Sequence, residues 1–196
     1  MRKIVLFCED TGHEAVINAL IHKLIPAGAV QVIPLSARHG KGKALAELAC
    51  YLKQVHENRV GVPDAIVAAI DANCKGYNDK RREIDDKIPD GFSSTIPLIH
   101  AIPDPHVERW LLIDSHAFKQ VFGKGCSAPD QKCEKARYKN LLGDAVKQAG
   151  GTPLLGGIEH AEEIIGNMDI LQIKKLDDSL KKFIEELEDV LKRWEQ

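Results

Sequence analysis

The sequence predicts an α/β fold, a mostly parallel four-stranded sheet with helices on both faces, followed by a helical C-terminal extension. Two observations carry this prediction. Short β-branched apolar runs (KIVLFC, VQVIPL, AIVAAI and IPLIHAI) alternate with helical stretches, the order that produces parallel strands joined by crossover helices. Two of these runs, Ile4 to Cys8 (IVLFC) and AIVAAI, are apolar throughout rather than alternating, as expected of strands covered on both faces.

In chain order, Lys3 to Cys8 reads as a buried strand, and Glu9 to His13 as a turn in which Asp10 or Thr11 can cap a helix. That helix runs from Glu14 to Leu24, with Ala15, Ile17, Leu20, Ile21 and Leu24 on one face, and ends before Pro26 and Gly28. Val30 to Leu35 is a second strand, placed near an edge because Pro34 has no N–H to give to a ladder. A basic, glycine-rich loop (Ser36 to Lys43) leads into a helix over Lys43 to Val55. After a turn at Gly61 to Asp64 comes the strongest strand, Ala65 to Ile70. A polar loop (Asp71 to Asp79), a charged helix (Lys80 to Lys87), a strand (Ile96 to Ile102) and a helix (His106 to Phe122) complete a core over residues 1–122. Residues 123–196 form the extension packed on it: a loop from Gly123 to Gln131, then helices over Cys133 to Gln148 and Ile158 to Ile165. The final helix starts near Leu176. Leu176, Leu180, Phe183, Leu187, Val190 and Trp194 form an a/d-like stripe that suits packing on the chain's own core, or otherwise a homodimer seam or a partner's docking site.

Composition narrows the functional classes. The chain has 196 residues, 44% apolar and 29% charged, with a net charge of −2. No overall field favours nucleic acid or an anionic membrane, so any nucleic-acid contact needs a local basic patch. No apolar run approaches the roughly 20 residues that span a bilayer, and the short run before Glu9 is unlike a signal peptide. Five cysteines without a CxxC pair suggest neither a zinc site nor a redox dithiol. Reduced, structural thiols in a cytoplasmic protein are the simplest expectation.

Ligands of open parallel sheets bind beyond the carboxyl ends of the strands. Glu9 and Asp10 follow the first strand, Asp71 the third, and Asp104 and Glu108 the fourth. Carboxylates gathered there repel one another unless a cation neutralises them. Oxygen donors without a cysteine or histidine pattern favour Mg2+ or Mn2+ over zinc. His13 and His106, beside these carboxylates, are candidate general acids or bases. Arg38, Lys41 and Lys43, with His39 and two glycines, can cradle a phosphate, although the P-loop spacing is absent. Lys75 and Arg81, after Asp71, can counter charge developing on a phosphate.

The run IVLFCEDTGHEAV resembles the first motif of Toprim domains, the metal-binding module of topoisomerases, bacterial primases and overcoming-lysogenization-defect nucleases. In that resemblance Glu9 takes the place of the motif's glutamate and Glu14 that of a second acidic residue one helical turn on. AIVAAIDAN is similar to the second motif, Asp-x-Asp, with Asp71 first and Asn73 in place of the second aspartate. IPDPHVERWLLID, with Pro103, Pro105, Glu108, Trp110 and Asp114, and the later MDILQIKKLDDSLKKF resemble a group of Toprim-like proteins, many encoded beside ATPases in bacterial defence loci. The resemblance implies a Toprim/Rossmann-like core and a metal site of Glu9, Glu14, Asp71, Asn73 and Glu108. It further implies phosphodiester hydrolysis, on DNA in preference to RNA, with an ATPase partner. Asn73 brings no charge, which weakens metal binding and favours the alternative of a non-catalytic regulatory subunit. A receiver-like phosphoacceptor at Asp71 is a third reading, disfavoured by the long helical extension.

Overall fold

The computed structural model describes residues 1–36, 43–93, 96–134 and 136–195. Four strands, β1 (Arg2–Cys8), β2 (Val30–Ser36), β3 (Ala65–Ala69) and β4 (Leu98–Ala101), form one all-parallel sheet in the order β2-β1-β3-β4. β1 and β3 are the central pair, which is why their sequences are apolar on both faces, whereas Pro34 lies in the edge strand β2.

The register sets the level of the site. Cys8 lies opposite Ala69, and Ala69 opposite Ala101, so the three chains leave the sheet together. The ladder runs slightly further, with the N–H of Glu9 donating to Ala69 (2.9 Å) and that of Ala72 to Pro103 (2.8 Å).

Successive strand residues face opposite sides, and two cores result. Ile4, Leu6, Val67 and Ile99 pack with α1 (Thr11–Leu24), α4 (Val107–Leu112), α5 (Ser115–Phe122), α6 (Arg137–Gln148), α7 (Ala161–Asn167), α8 (Ile170–Leu176) and α9 (Asp178–Trp194). Phe7, Ile66, Ala68 and Ile70 pack with α2 (Ala44–His56) and α3 (Tyr77–Asp85). Residues from before and after position 123 thus enter one core. Leu180, Phe183, Leu187 and Val190 of the C-terminal stripe are buried in it, while Leu176 precedes α9 and is 53% exposed. Among the described residues no helix is long and apolar enough to cross a membrane.

Several boundaries differ from the sequence reading, each for a local reason. Asp10, with extended backbone, caps α1 by accepting from the N–H groups of Gly12 and His13. The single helix expected over residues 106–122 is two. Asp114 interrupts it and caps α5 through the N–H groups of His116 and Ala117, both at 3.0 Å. Asp169 and Asp177 likewise cap α8 and α9, so two short-linked helices stand where one start was expected. The expectation of reduced thiols throughout is corrected: Cys74 and Cys133 form a disulfide, their Cα atoms 5.3 Å apart across 59 positions of sequence. Such pairing is set by tertiary proximity, so spacing alone cannot reveal it.

The two stretches after β4 singled out in the sequence, IPDPHVERWLLID and MDILQIKKLDDSLKKF, meet in space. Trp110 Nε1 donates to Ser179 Oγ (3.0 Å), the Trp110 ring stacks on Phe183 at 6.0 Å, and Arg109 pairs with Asp177.

Candidate metal centre

Three buried side chains converge beyond the carboxyl ends of the central strands. Glu9, His13 and Asp71 are 4%, 1% and 2% exposed, and each offers a ligand atom within 4.8 Å of the others. β1 delivers Glu9, the first turn of α1 delivers His13, and β3 delivers Asp71. The Asp71 N–H donates to Glu9 Oε2 at 3.2 Å, so the turn after β3 aims the first carboxylate.

Asp71 is the hub. Its Oδ1 accepts from His13 Nε2 (2.9 Å) and the Val107 N–H (3.0 Å), and its Oδ2 lies 2.8 Å from His106 Nδ1. His13 Nδ1 in turn lies 2.8 Å from Asp10 Oδ1. With a carboxylate on each side, both ring nitrogens of His13 act as donors, and the ring is an imidazolium. Burial works against that charge, but Asp71 and Asp10 outweigh it and push the His13 pKa up to about 10. Burial would raise the carboxyl of Asp71, yet His13 and His106 hold it below the ordinary range; Asp10 is lowered by His13 in the same way.

Three carboxylates, Glu9, Asp10 and Asp71, meet only the imidazoles of His13 and His106, and among the described residues no lysine or arginine pairs with any of them. A buried carboxylate without a cationic partner is costly. A divalent cation held by Glu9, Asp71 and a deprotonated His13 Nε2 corrects this shortfall, and the mixed oxygen and nitrogen donors fit such an ion.

The remaining predicted residues fall elsewhere. Glu108 is half-buried in the first turn of α4, and Glu14 half-buried in that of α1; neither belongs to the converging trio. Asn73 has a left-handed backbone (φ 52°), and its Nδ2 donates to the Asp71 carbonyl at 3.1 Å. An asparagine tolerates that conformation and supplies a donor that an aspartate lacks. Lys75 is exposed and paired with Glu83. Arg81 is turned to Glu186 of α9 (2.6 Å). Lys43 is exposed just before α2, and Arg38 and Lys41 lie outside the described residues.

In the sequence His13 is only a candidate general acid or base. Its spacing of four from Glu9, across a capped helix start, is the signal that places it among the ligand atoms. His100 was not singled out, yet it is buried on β4 between Glu186 and Asp85.

These features define an open parallel α/β protein with a buried Glu–His–Asp centre at its switch of strands. No family model, curated protein or solved structure matches the chain.

Proposed function

We propose that the protein is a divalent-metal-dependent phosphodiesterase acting on nucleic acid, with Mn2+ or Mg2+ held by Glu9, His13 and Asp71. The observation that carries this reading is the buried, cation-poor trio at the strand ends. An imidazole nitrogen among the donors suits Mn2+ better than Mg2+. When bound, the ion supplies a polarised water and positive charge beside the scissile phosphate. The chain's own residues supply order and proton handling. The Val107 N–H fixes the orientation of Asp71. His106, with Nδ1 engaged by Asp71, keeps Nε2 for proton exchange with a substrate. DNA in preference to RNA, an ATPase partner and a role in bacterial defence rest on the Toprim-like resemblance alone.

One observation favours a second reading, a non-catalytic binding subunit: both Asp71 oxygens are already occupied by internal hydrogen bonds. The two readings separate when single-stranded and duplex DNA and RNA are incubated with the purified protein and Mn2+ or Mg2+, beside Glu9→Ala and Asp71→Ala. The phosphodiesterase reading expects metal-dependent cleavage lost in both variants. Cleavage that persists in both sinks the metal assignment, and metal binding without cleavage of any substrate selects the binding subunit.

A further inference from the structure

We propose that the Cys74–Cys133 disulfide is a redox latch, holding closed the segment that is bonded to Tyr138, whose ring packs on His106 beside the metal centre, and that reduction by a dithiol opens it. The metal centre is the one proposed above, so this inference rests on that reading for its consequence, though not for its test.

Four observations support the latch. First, Glu9, His13 and Asp71 are at most 4% exposed, so a phosphodiester reaches them only after something moves. Second, Cys74 stands three positions beyond Asp71, in the 3₁₀ turn Asn73–Lys75, and the Asn73 N–H donates to the Pro105 carbonyl (3.0 Å) beside His106. The disulfide therefore joins the chain flanking the centre. Third, its other end lies in a stretch with neither helix nor strand from position 123 to 134. Its first part is fixed by Cys126, which packs on the core and donates to the Leu112 carbonyl (3.5 Å), and by Lys124 on the Gln148 carbonyl (3.4 Å); residues 130–134 are held by Tyr138 Oη, which accepts from the Lys132 N–H (2.7 Å) and shares its proton between the Asp130 and Lys132 carbonyls, and by Arg137, which pairs with Asp130 and Glu134. The Tyr138 ring packs on His106 at 6.0 Å, and Gln131 walls a cleft of about 620 Å³ with Lys75, Asp104 and Arg109. Fourth, Cys74 and Cys133 are both exposed, open to an attacking thiolate. Exposed disulfides are the ones that exchange readily.

The chemistry balances through one named reactant class. A dithiol's thiolate attacks one Sγ, breaking the S–S bond and forming a mixed disulfide. Its second thiol displaces that bond, leaving two protein thiols and the oxidised dithiol, with two electrons and two protons transferred. A tether across 59 residues is lost. Residues 130–134 then depend on the Tyr138 hydroxyl and the ion pairs of Arg137, a set weak enough for local opening.

The test compares oxidised and dithiothreitol-reduced full-length protein without metal. Histidine carbethoxylation is mapped by mass spectrometry, and Lys132 cleavage is timed with limiting trypsin. Reduction is expected to speed modification of His106 and cleavage at Lys132 by at least about tenfold, leaving buried His100 and exposed His56 unchanged. Cys133→Ser is expected to match the reduced protein in either condition. Equal His106 rates in the two states overturn the latch, as does a parallel rise at His100, which marks global loosening. A non-reducing peptide map without the Cys74–Cys133 pair also overturns it. Mn2+ association, followed in parallel, should be faster after reduction; equal rates count against the latch. No Mn2+ binding in either state sinks the metal reading, while the His106 ratio still decides the latch.

Discussion

Two buried histidine networks border the sheet, one beyond β1 and β3 and one on β4, and their charged partners differ. Around His13, three carboxylates meet only the imidazoles of His13 and His106, and the ligand atoms crowd within 4.8 Å. Around His100, Glu186 and Asp85 are met by Arg81, which donates to Glu186 at 2.6 Å and lies near Asp85. The second network contains a permanent cation, Arg81. Its task is structural: Glu186 of α9 accepts the His100 N–H (2.8 Å), covering the exposed side of the edge strand β4. The first is left short of positive charge. Histidine and carboxylate together do not mark a metal site; the missing cation does.

The largest effect expected from this contrast is at Asp71. Asp71→Ala leaves His13 and the Val107 N–H without their buried partner, costing about 3–5 kcal/mol of stability by denaturant titration, and abolishes metal binding; a loss below about 1 kcal/mol contradicts the hub role. Glu186→Gln is the counterpart. It removes a charged partner of Arg81 and His100, with a cost of roughly 1–3 kcal/mol, and leaves metal affinity unchanged. Loss of metal binding in that variant would erase the distinction between the networks.

A third prediction uses pH. His13 has an ordinary pKa of 6.5 and one of about 10 in the folded chain, so folding favours its protonated form. Its contribution to stability is complete below pH 6.5 and fades as pH rises through about 10. Asp71 and Asp10 run the other way: both are lowered from 3.8, so their contributions hold above that value and are lost as pH falls below it. In chelator, Tm should decline between pH 6.5 and 10, and His13→Asn should flatten that decline. An unchanged slope in the variant contradicts the imidazolium. The smallest effect is at Asn73: Asn73→Asp loses the donor to the Asp71 carbonyl, with an expected cost of about 1 kcal/mol and no gain in metal affinity. A marked gain would instead make position 73 a ligand.

Much of this was legible before the structure. The fully apolar runs at β1 and β3 announced a central parallel pair, and the carboxylates after them, Glu9 and Asp71, do meet. What escaped the sequence was set by tertiary geometry. His13 becomes a neighbour of Asp71 only because Asp10 caps α1 and turns the helix back over β3. Asn73 reads as a defect in a carboxylate motif, but its left-handed φ gives it a backbone role. The aspartate cap at Asp114 splits a helix that apolar periodicity alone runs together, and the cap at Asp169 starts a short helix that the periodicity did not mark, because periodicity does not register a capping side chain. The disulfide joins residues whose proximity no local pattern encodes.

The most direct test of the central claim is a Mn2+ titration of the chelator-stripped protein at neutral pH, with free ion read by electron paramagnetic resonance. The account predicts a single saturable site in the wild-type chain, lost in Glu9→Gln and Asp71→Asn and retained in Glu186→Gln. Binding that is absent from the wild type, or equal in all four proteins, contradicts it.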